Sequence, residues 1–197
     1  MNEKVAKALC DAQVLKLGSF TLASGRKSPV YIDLRILPSY PESFDIISGE
    51  LAKAAGELDI DVIAGAETAG IPYAAAIALK AKMPMVYVRK RPKRYGTNSM
   101  IEGLLNKDDK CVLIDDLVTN AGSKLDFIDG IRNEGAIVED VLVTLDRGQG
   151  AVEALEKEGV KLHSLITLRE LLDYMDKKKM ITKEEHERVI AYLEENR

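Results

Sequence analysis

The sequence predicts an α/β fold whose mostly parallel central sheet is flanked by helices. Three observations lead there. Five short apolar, β-rich runs, at 62–64, 85–88, 111–114, 138–145 and 162–167, are separated by helical patterns or polar segments. Strands alternating with helices build βαβ units. The runs at 62–64 and 111–114 are apolar without alternation, which suits central strands covered on both faces. At 197 residues, with no Ser-, Gly- or Pro-rich linker and no internal repeat, the chain reads as a single domain over 1–197.

Each element has its own signal. Residues 2–15 carry an amphipathic helical pattern, and the mixed, turn-rich stretch 20–34 reads as a small subdomain. Ser39 and Glu42 have the spacing of a capping box. The helix they would open places Phe44, Ile47, Leu51, Ala54 and Ala55 at helical intervals. The Ala-rich stretch 71–82 tolerates Pro72 in its first turn. In 123–134, Leu125, Ile128 and Ile131 share one face and Gly135 is a stop signal; 151–158 ends likewise at Gly159. Thr182 and Glu185 repeat the capping-box spacing and open a final helix.

The charge balance narrows the function. Lys plus Arg total 28 against 32 Asp plus Glu, a net charge of −4. That excess argues against coating nucleic acid, which needs surplus cations to neutralise phosphates. Cys10 and Cys111 sit in apolar surroundings without CxxC spacing, so buried, reduced thiols are expected. The start lacks the apolar stretch of a signal peptide, and no run approaches the ~18 apolar residues of a membrane helix. The expectation is a cytoplasmic protein acting on small molecules, with neither nucleic acid nor membrane as partner.

The most informative segment is Cys111-Val-Leu-Ile-Asp115-Asp116-Leu-Val-Thr119-Asn120-Ala121-Gly122-Ser123. A buried strand ends in two carboxylates, a loop of small and hydroxylated residues follows, and a helix begins. Converging backbone N–H groups and the helix N-terminus make such a junction an anion site. Thr119 and Ser123 can add hydroxyl donors, and Gly122 lets the backbone approach a ligand. The carboxylates repel phosphate but suit hydroxyls, or a divalent cation beside the phosphate. Ribose 5-phosphate, with a phosphate at one end and a diol at the other, satisfies both halves. A polar strand end before a capped helix is the plainer account of the pair taken alone. GxxxxGK[ST] and GxGxxG are both absent, which removes the main support for P-loop and Rossmann readings.

Residues 114–123 resemble the phosphoribosyl pyrophosphate (PRPP) signature of type I phosphoribosyltransferases. Further segments are similar to those of orotate phosphoribosyltransferases: Phe20-Thr-Leu-Ala-Ser-Gly-Arg-Lys-Ser-Pro29, Tyr31-Ile-Asp33, Glu67-Thr-Ala-Gly-Ile-Pro72, Arg89-Lys-Arg-Pro-Lys93, Tyr95-Gly96, Ile101-Glu-Gly103 and Leu145-Asp-Arg147. They stand in the family's order and cover nearly the whole chain. The resemblance implies a type I phosphoribosyltransferase fold, with an N-terminal helix and hood in 1–38 and a mobile catalytic loop at 89–103. It implies Mg²⁺ as cofactor, PRPP and orotate as substrates, and a homodimer whose loop reaches into the partner's site.

The same resemblance assigns residues. Asp115 and Asp116 would hold the ribose hydroxyls, directly or through a water of the metal. PRPP contacts would run on through Leu117, Val118, Thr119, Asn120, Ala121, Gly122 and Ser123 around the 5′-phosphate. Arg89, Lys90, Lys93 and Tyr95 would face pyrophosphate, as would the turn of Thr68 and Ala69. Lys93 and Asp116 would be the catalytic pair, and Thr119, Arg147 and Lys27 would meet orotate. Five cations in 89–94 are ordinarily a solvated surface run, but within this motif set they read as a clamp on a departing pyrophosphate. Departures exist: Tyr95 stands where relatives often have His, Ala69 where some have Lys, and Asn120-Ala121 where many read Thr-Gly. His163 and His186 match no catalytic motif. The expected activity is orotate phosphoribosyl transfer. The alternatives are a transferase for another base, or a PRPP-sensing regulator on the same fold; the regulator would need a DNA-binding module larger than the 19 residues before Phe20 allow.

Overall fold

A computed structural model describes residues 2–21, 25, 27–92 and 99–196. The apolar runs become strands β3 (Val62–Ala66), β4 (Met85–Val88), β6 (Lys110–Val118), β7 (Ile137–Asp146) and β8 (Lys161–Thr167) of one six-stranded sheet. Its order is β5-β4-β3-β6-β7-β8, parallel except for β5 (Ile101–Glu102), which runs antiparallel to β4. The two-residue β5 is too short to show a period of its own.

The unalternating apolar runs do lie at the centre. Ile63, Val112 and Ile114 point into one core, with α1 (Glu3–Asp11), α2 (Pro41–Ala55), α3 (Gly70–Ala81), α6 (Leu168–Lys177) and α7 (Lys183–Glu195). Val62, Ala64, Cys111 and Leu113 point into a second core under α4 (Gly122–Arg132) and α5 (Ala151–Glu156). Alternate side chains of one strand therefore feed two cores, which is why both faces must be apolar. β1 (Leu15–Thr21) and β2 (Lys27–Ile32) form a separate antiparallel hairpin in the turn-rich N-terminal stretch. Burial raises the free thiols of Cys10 and Cys111 to about 11 and about 12, so both stay protonated at neutral pH. No helix of the described residues is long and apolar enough to cross a membrane.

Two helix starts differ from expectation. Ser39 makes no capping box: it ends a 3₁₀ helix (Leu34–Ser39), and α2 begins at Pro41 with Tyr40 as an N-cap lacking a side-chain bond. Proline's fixed φ suits the first helical position, so it sets the boundary one residue later and puts Glu42 out of register. The first helix stops at Asp11 rather than running to 15, because Gln13 takes a left-handed φ of 52° before β1. Thr182 and Glu185 do form a reciprocal capping box. So do Thr167 and Glu170 at the start of α6, a helix absent from the expected elements although the sequence carries its Thr-x-x-Glu signal.

Candidate active site

The chain leaves β3 toward β4 on one side and leaves β6 toward β7 on the other, so the sheet's order reverses between β3 and β6. Open α/β sheets bind ligands in the crevice beyond the carboxyl ends of strands at such a point. β6 pairs with β3 only as far as Ile114 but with β7 as far as Val118. The strand expected to stop at Ile114 therefore overhangs the crevice by four residues, and Asp115 and Asp116 open that overhang.

The two carboxylates are unlike. Asp115 is 6% exposed. Its Oδ1 accepts from the Asp116 amide at 2.9 Å, and its Oδ2 is ion-paired to Lys124 Nζ at 2.6 Å. Asp116 is half-buried, and its Oδ1 accepts from the Leu117 amide at 2.7 Å. Burial, then the neighbouring Asp115 charge, push Asp116 up to about 7 against the pull of the Leu117 amide and Lys124. Asp115 is thus committed to internal contacts, and Asp116 is the acid poised to change charge.

Thr119, Asn120 and Ala121 join β6 to α4. The left-handed residue in this loop is Ala121, with φ 65°, and not the glycine beside it. Asn120 Oδ1 accepts from the Gly122 amide at 3.3 Å and braces the turn. A Cβ on Gly122 would meet only that Oδ1, at 3.7 Å, so the glycine keeps the loop's outer side open instead of relieving strain. Thr119 is half-buried, and Asn120, Gly122 and Ser123 are exposed, so the N-terminal end of α4, with its positive potential, is open to a ligand. Leu117 is half-buried and Val118 buried, so backbone is what they offer a ligand.

Arg147 follows β7, and its amide donates to the Val118 carbonyl at 3.1 Å, which seats it beside the end of β6. Its Nε is buried with no partner, and burial lowers the guanidinium from its ordinary value. It lines a cavity of about 320 Å³ with Gly148, Thr167 and Arg169. Lys27 is elsewhere: its Nζ donates to Thr21 Oγ1 at 2.8 Å, and it lines a different cavity, of about 570 Å³, with Gly18, Ser19 and Tyr192. The structure groups Arg147 with the acidic strand and leaves Lys27 on the hairpin.

Thr68 and Ala69 form the turn from β3 to α3, across the crevice from the acidic pair. The residue before them, Glu67, had no assigned role. Its Oε2 accepts from the Lys90 amide at 2.7 Å, tying this turn to the start of the cationic segment. Arg89 pairs with Glu102 at 3.1 Å, and its amide donates to the Met100 carbonyl at 2.8 Å. The 89–103 segment is thereby pinned at both ends by the β4–β5 pairing, with Lys90 exposed. Lys93 and Tyr95 lie outside the described residues. His163 and His186 are bonded to Asp140 and Asp173, at 2.6 and 2.7 Å, away from all of this.

Gly70 sets the width of the crevice. A Cβ there would overlap the Ile114 carbonyl oxygen and reach Asp115 Cα at 3.2 Å. Gly70→Ala should push α3 off β6, lower stability by about 1–3 kcal/mol, and reduce activity by more than that loss of folded protein explains. Thermal melts and steady-state rates on one preparation check both.

Comparison with known proteins agrees with this geometry. The phosphoribosyl transferase domain family matches residues 39–187. An orotate phosphoribosyltransferase of Saccharolobus solfataricus is 41% identical over 191 residues, 97% of each chain. Among solved structures, UMP synthase of Leishmania donovani superposes with a TM-score of 0.88 at 36% identity; 98% of this chain is covered, spanning 42% of that longer protein. Orotate phosphoribosyltransferase from Aeropyrum pernix gives 0.77 at 34% identity, covering 87% of this chain and 99% of that one.

Proposed function

Because this chain belongs to the phosphoribosyl transferase domain family, among its orotate phosphoribosyltransferases, we propose how its residues divide the work. The reaction joins orotate and PRPP into orotidine 5′-monophosphate and pyrophosphate. A ring nitrogen of deprotonated orotate forms a bond to the anomeric carbon. The bond from that carbon to the pyrophosphate oxygen breaks, and its electron pair leaves with pyrophosphate. The transition state has oxocarbenium character, so orientation and electrostatics matter more than acid–base chemistry.

The observation that carries this reading is the seating of Arg147. Its backbone bond to Val118 ties Arg147 to the end of β6, and its buried, partnerless Nε belongs to a guanidinium that lines the cavity of Gly148, Thr167 and Arg169. A guanidinium grips a carboxylate bidentately, and orotate bears a carboxylate that uracil lacks. Asp116 then takes the ribose diol, with Asp115 behind it. Residues 117–123 hold the 5′-phosphate with backbone amides and the hydroxyls of Thr119 and Ser123. The turn of Thr68 and Ala69, with Arg89, Lys90, Lys93 and Tyr95, faces pyrophosphate. Thr119 borders both substrates, and Lys27 approaches orotate from the hairpin.

The described residues contain no cluster of three His, Cys, Asp or Glu side chains able to cage a cation, and both oxygens of Asp115 are taken. Such a donor set fits Mg²⁺ held mainly by substrate oxygens and water, with Asp116 reaching it indirectly. When bound, the ion supplies charge neutralisation on the leaving pyrophosphate.

A spectrophotometric assay of orotate consumption with PRPP and Mg²⁺ tests the activity; turnover of another base with none of orotate would overturn the base assignment. The site is proposed to be shared across a homodimer through Lys93. Mixing inactive Lys93→Ala and Asp116→Asn chains should then recover activity in heterodimers. Subunit exchange without recovery would place the whole site within one chain.

A further inference from the structure

Lys124 is the single buried lysine among the described residues, with its side chain 8% exposed. It stands in the first turn of α4. That is a costly place for a cation on two counts. The helix N-terminus already carries positive potential, and removal from water penalises the ammonium. An apolar side chain would fill the site without either penalty, so packing does not explain the residue. Its ion pair does: Nζ lies 2.6 Å from Asp115 Oδ2.

This contact begins a relay. Asp115 Oδ1 accepts from the Asp116 amide, and Asp116 Oδ1 accepts from the Leu117 amide. Lys124 thus fastens the helix that opens the phosphate loop to the strand that bears the acidic pair. Its cation also offsets negative charge on the pair, in a crevice meant for a ligand rich in phosphate. Resting on the function proposed above, we propose that Lys124 is a positioning residue: it locks the phosphate loop to the acidic pair, so that the phosphate and the diol of one ligand are recognised as a unit.

Calorimetric titration of wild type, Lys124→Met, Lys124→Gln and Lys124→Arg with ribose 5-phosphate, and separately with pyrophosphate, tests this. Ribose 5-phosphate bridges loop and pair, whereas pyrophosphate alone does not. The Met and Gln variants should bind ribose 5-phosphate about tenfold more weakly and raise KM for PRPP about tenfold, with kcat changed less than about threefold. Their pyrophosphate affinity should stay within about twofold of wild type, and Lys124→Arg, which keeps the cation, should recover most of the loss. If the Met chain does not fold, the Gln chain, which keeps a hydrogen-bond donor, carries the comparison. Unchanged ribose 5-phosphate affinity and KM in the neutral variants would overturn the proposal. So would an equal loss for both ligands, which is what a merely structural lysine would give. If wild type itself fails to bind ribose 5-phosphate, the reading of the site falls instead.

Discussion

Asp116→Asn lowers kcat/KM for PRPP by about 10²–10³, the range for removing a group aimed at charge in the transition state, and does not weaken the fold. The second half follows from the sign of its titration. Asp116 sits at about 7 in the folded protein, above its ordinary 3.8. Between those values the native state holds a proton that the unfolded chain has released. The contribution of this group to stability is therefore greatest below 3.8 and falls as pH rises to about 7. Asparagine has the same shape and no charge, so it removes that cost. The variant should melt at or above the wild-type temperature at pH 8, with the difference closing toward pH 4. In wild type, kcat/KM should fall as pH drops through about 7, because a protonated Asp116 offers less to a diol or cation, and this limb should be missing from the variant. Melts and pH–rate profiles check both halves. A large loss of melting temperature with unchanged specific activity would make the residue structural.

Arg147→Lys should raise KM for orotate by about 10²-fold while leaving KM for PRPP nearly unchanged. Lysine keeps the charge but cannot present the planar fork, and a hydrogen bond to a charged group contributes about 1.5–3 kcal/mol. Arg147→Met should go further and narrow the preference for orotate over uracil. Neither should lower the melting temperature much, because the native guanidinium is already desolvated with its Nε unbonded. Steady-state kinetics against both bases, with melts alongside, would separate substrate recognition from a structural ion pair. Loss of stability with unchanged KM for orotate would overturn the assignment.

Much of this was readable before any coordinates. The runs at 62–64 and 111–114 announced central strands because burial on two faces leaves no room for alternation. The acidic pair followed by small, hydroxylated residues announced an anion-and-diol site, and the ordered motifs announced the family. The local errors came from competition between local signals. Ser39 and Glu42 have capping-box spacing, yet Pro41 fixes the helix start and overrides them. Gly122 drew attention as the flexible residue, yet Ala121 holds the left-handed φ, because the turn is fixed by Asn120 and the Ala121 carbonyl, which accepts from the Lys124 and Leu125 amides. Lys124 itself carried a faint signal, a cation in the first turn of a helix where acids are favoured. Its meaning needed the partner nine residues earlier.

By itself the sequence determined the five long strands of the sheet, most of the helices, and which residue types gather at the end of β6. These follow from period, hydropathy and spacing, which are local along the chain. Only the tertiary structure decided that β6 overhangs β3, that Asp115 is spent on Lys124 while Asp116 is held near neutrality, and that Arg147 joins the acidic strand while Lys27 does not. Those outcomes depend on desolvation and on charges brought together from distant positions. Such interactions have no period in the sequence and exist only once the chain is packed.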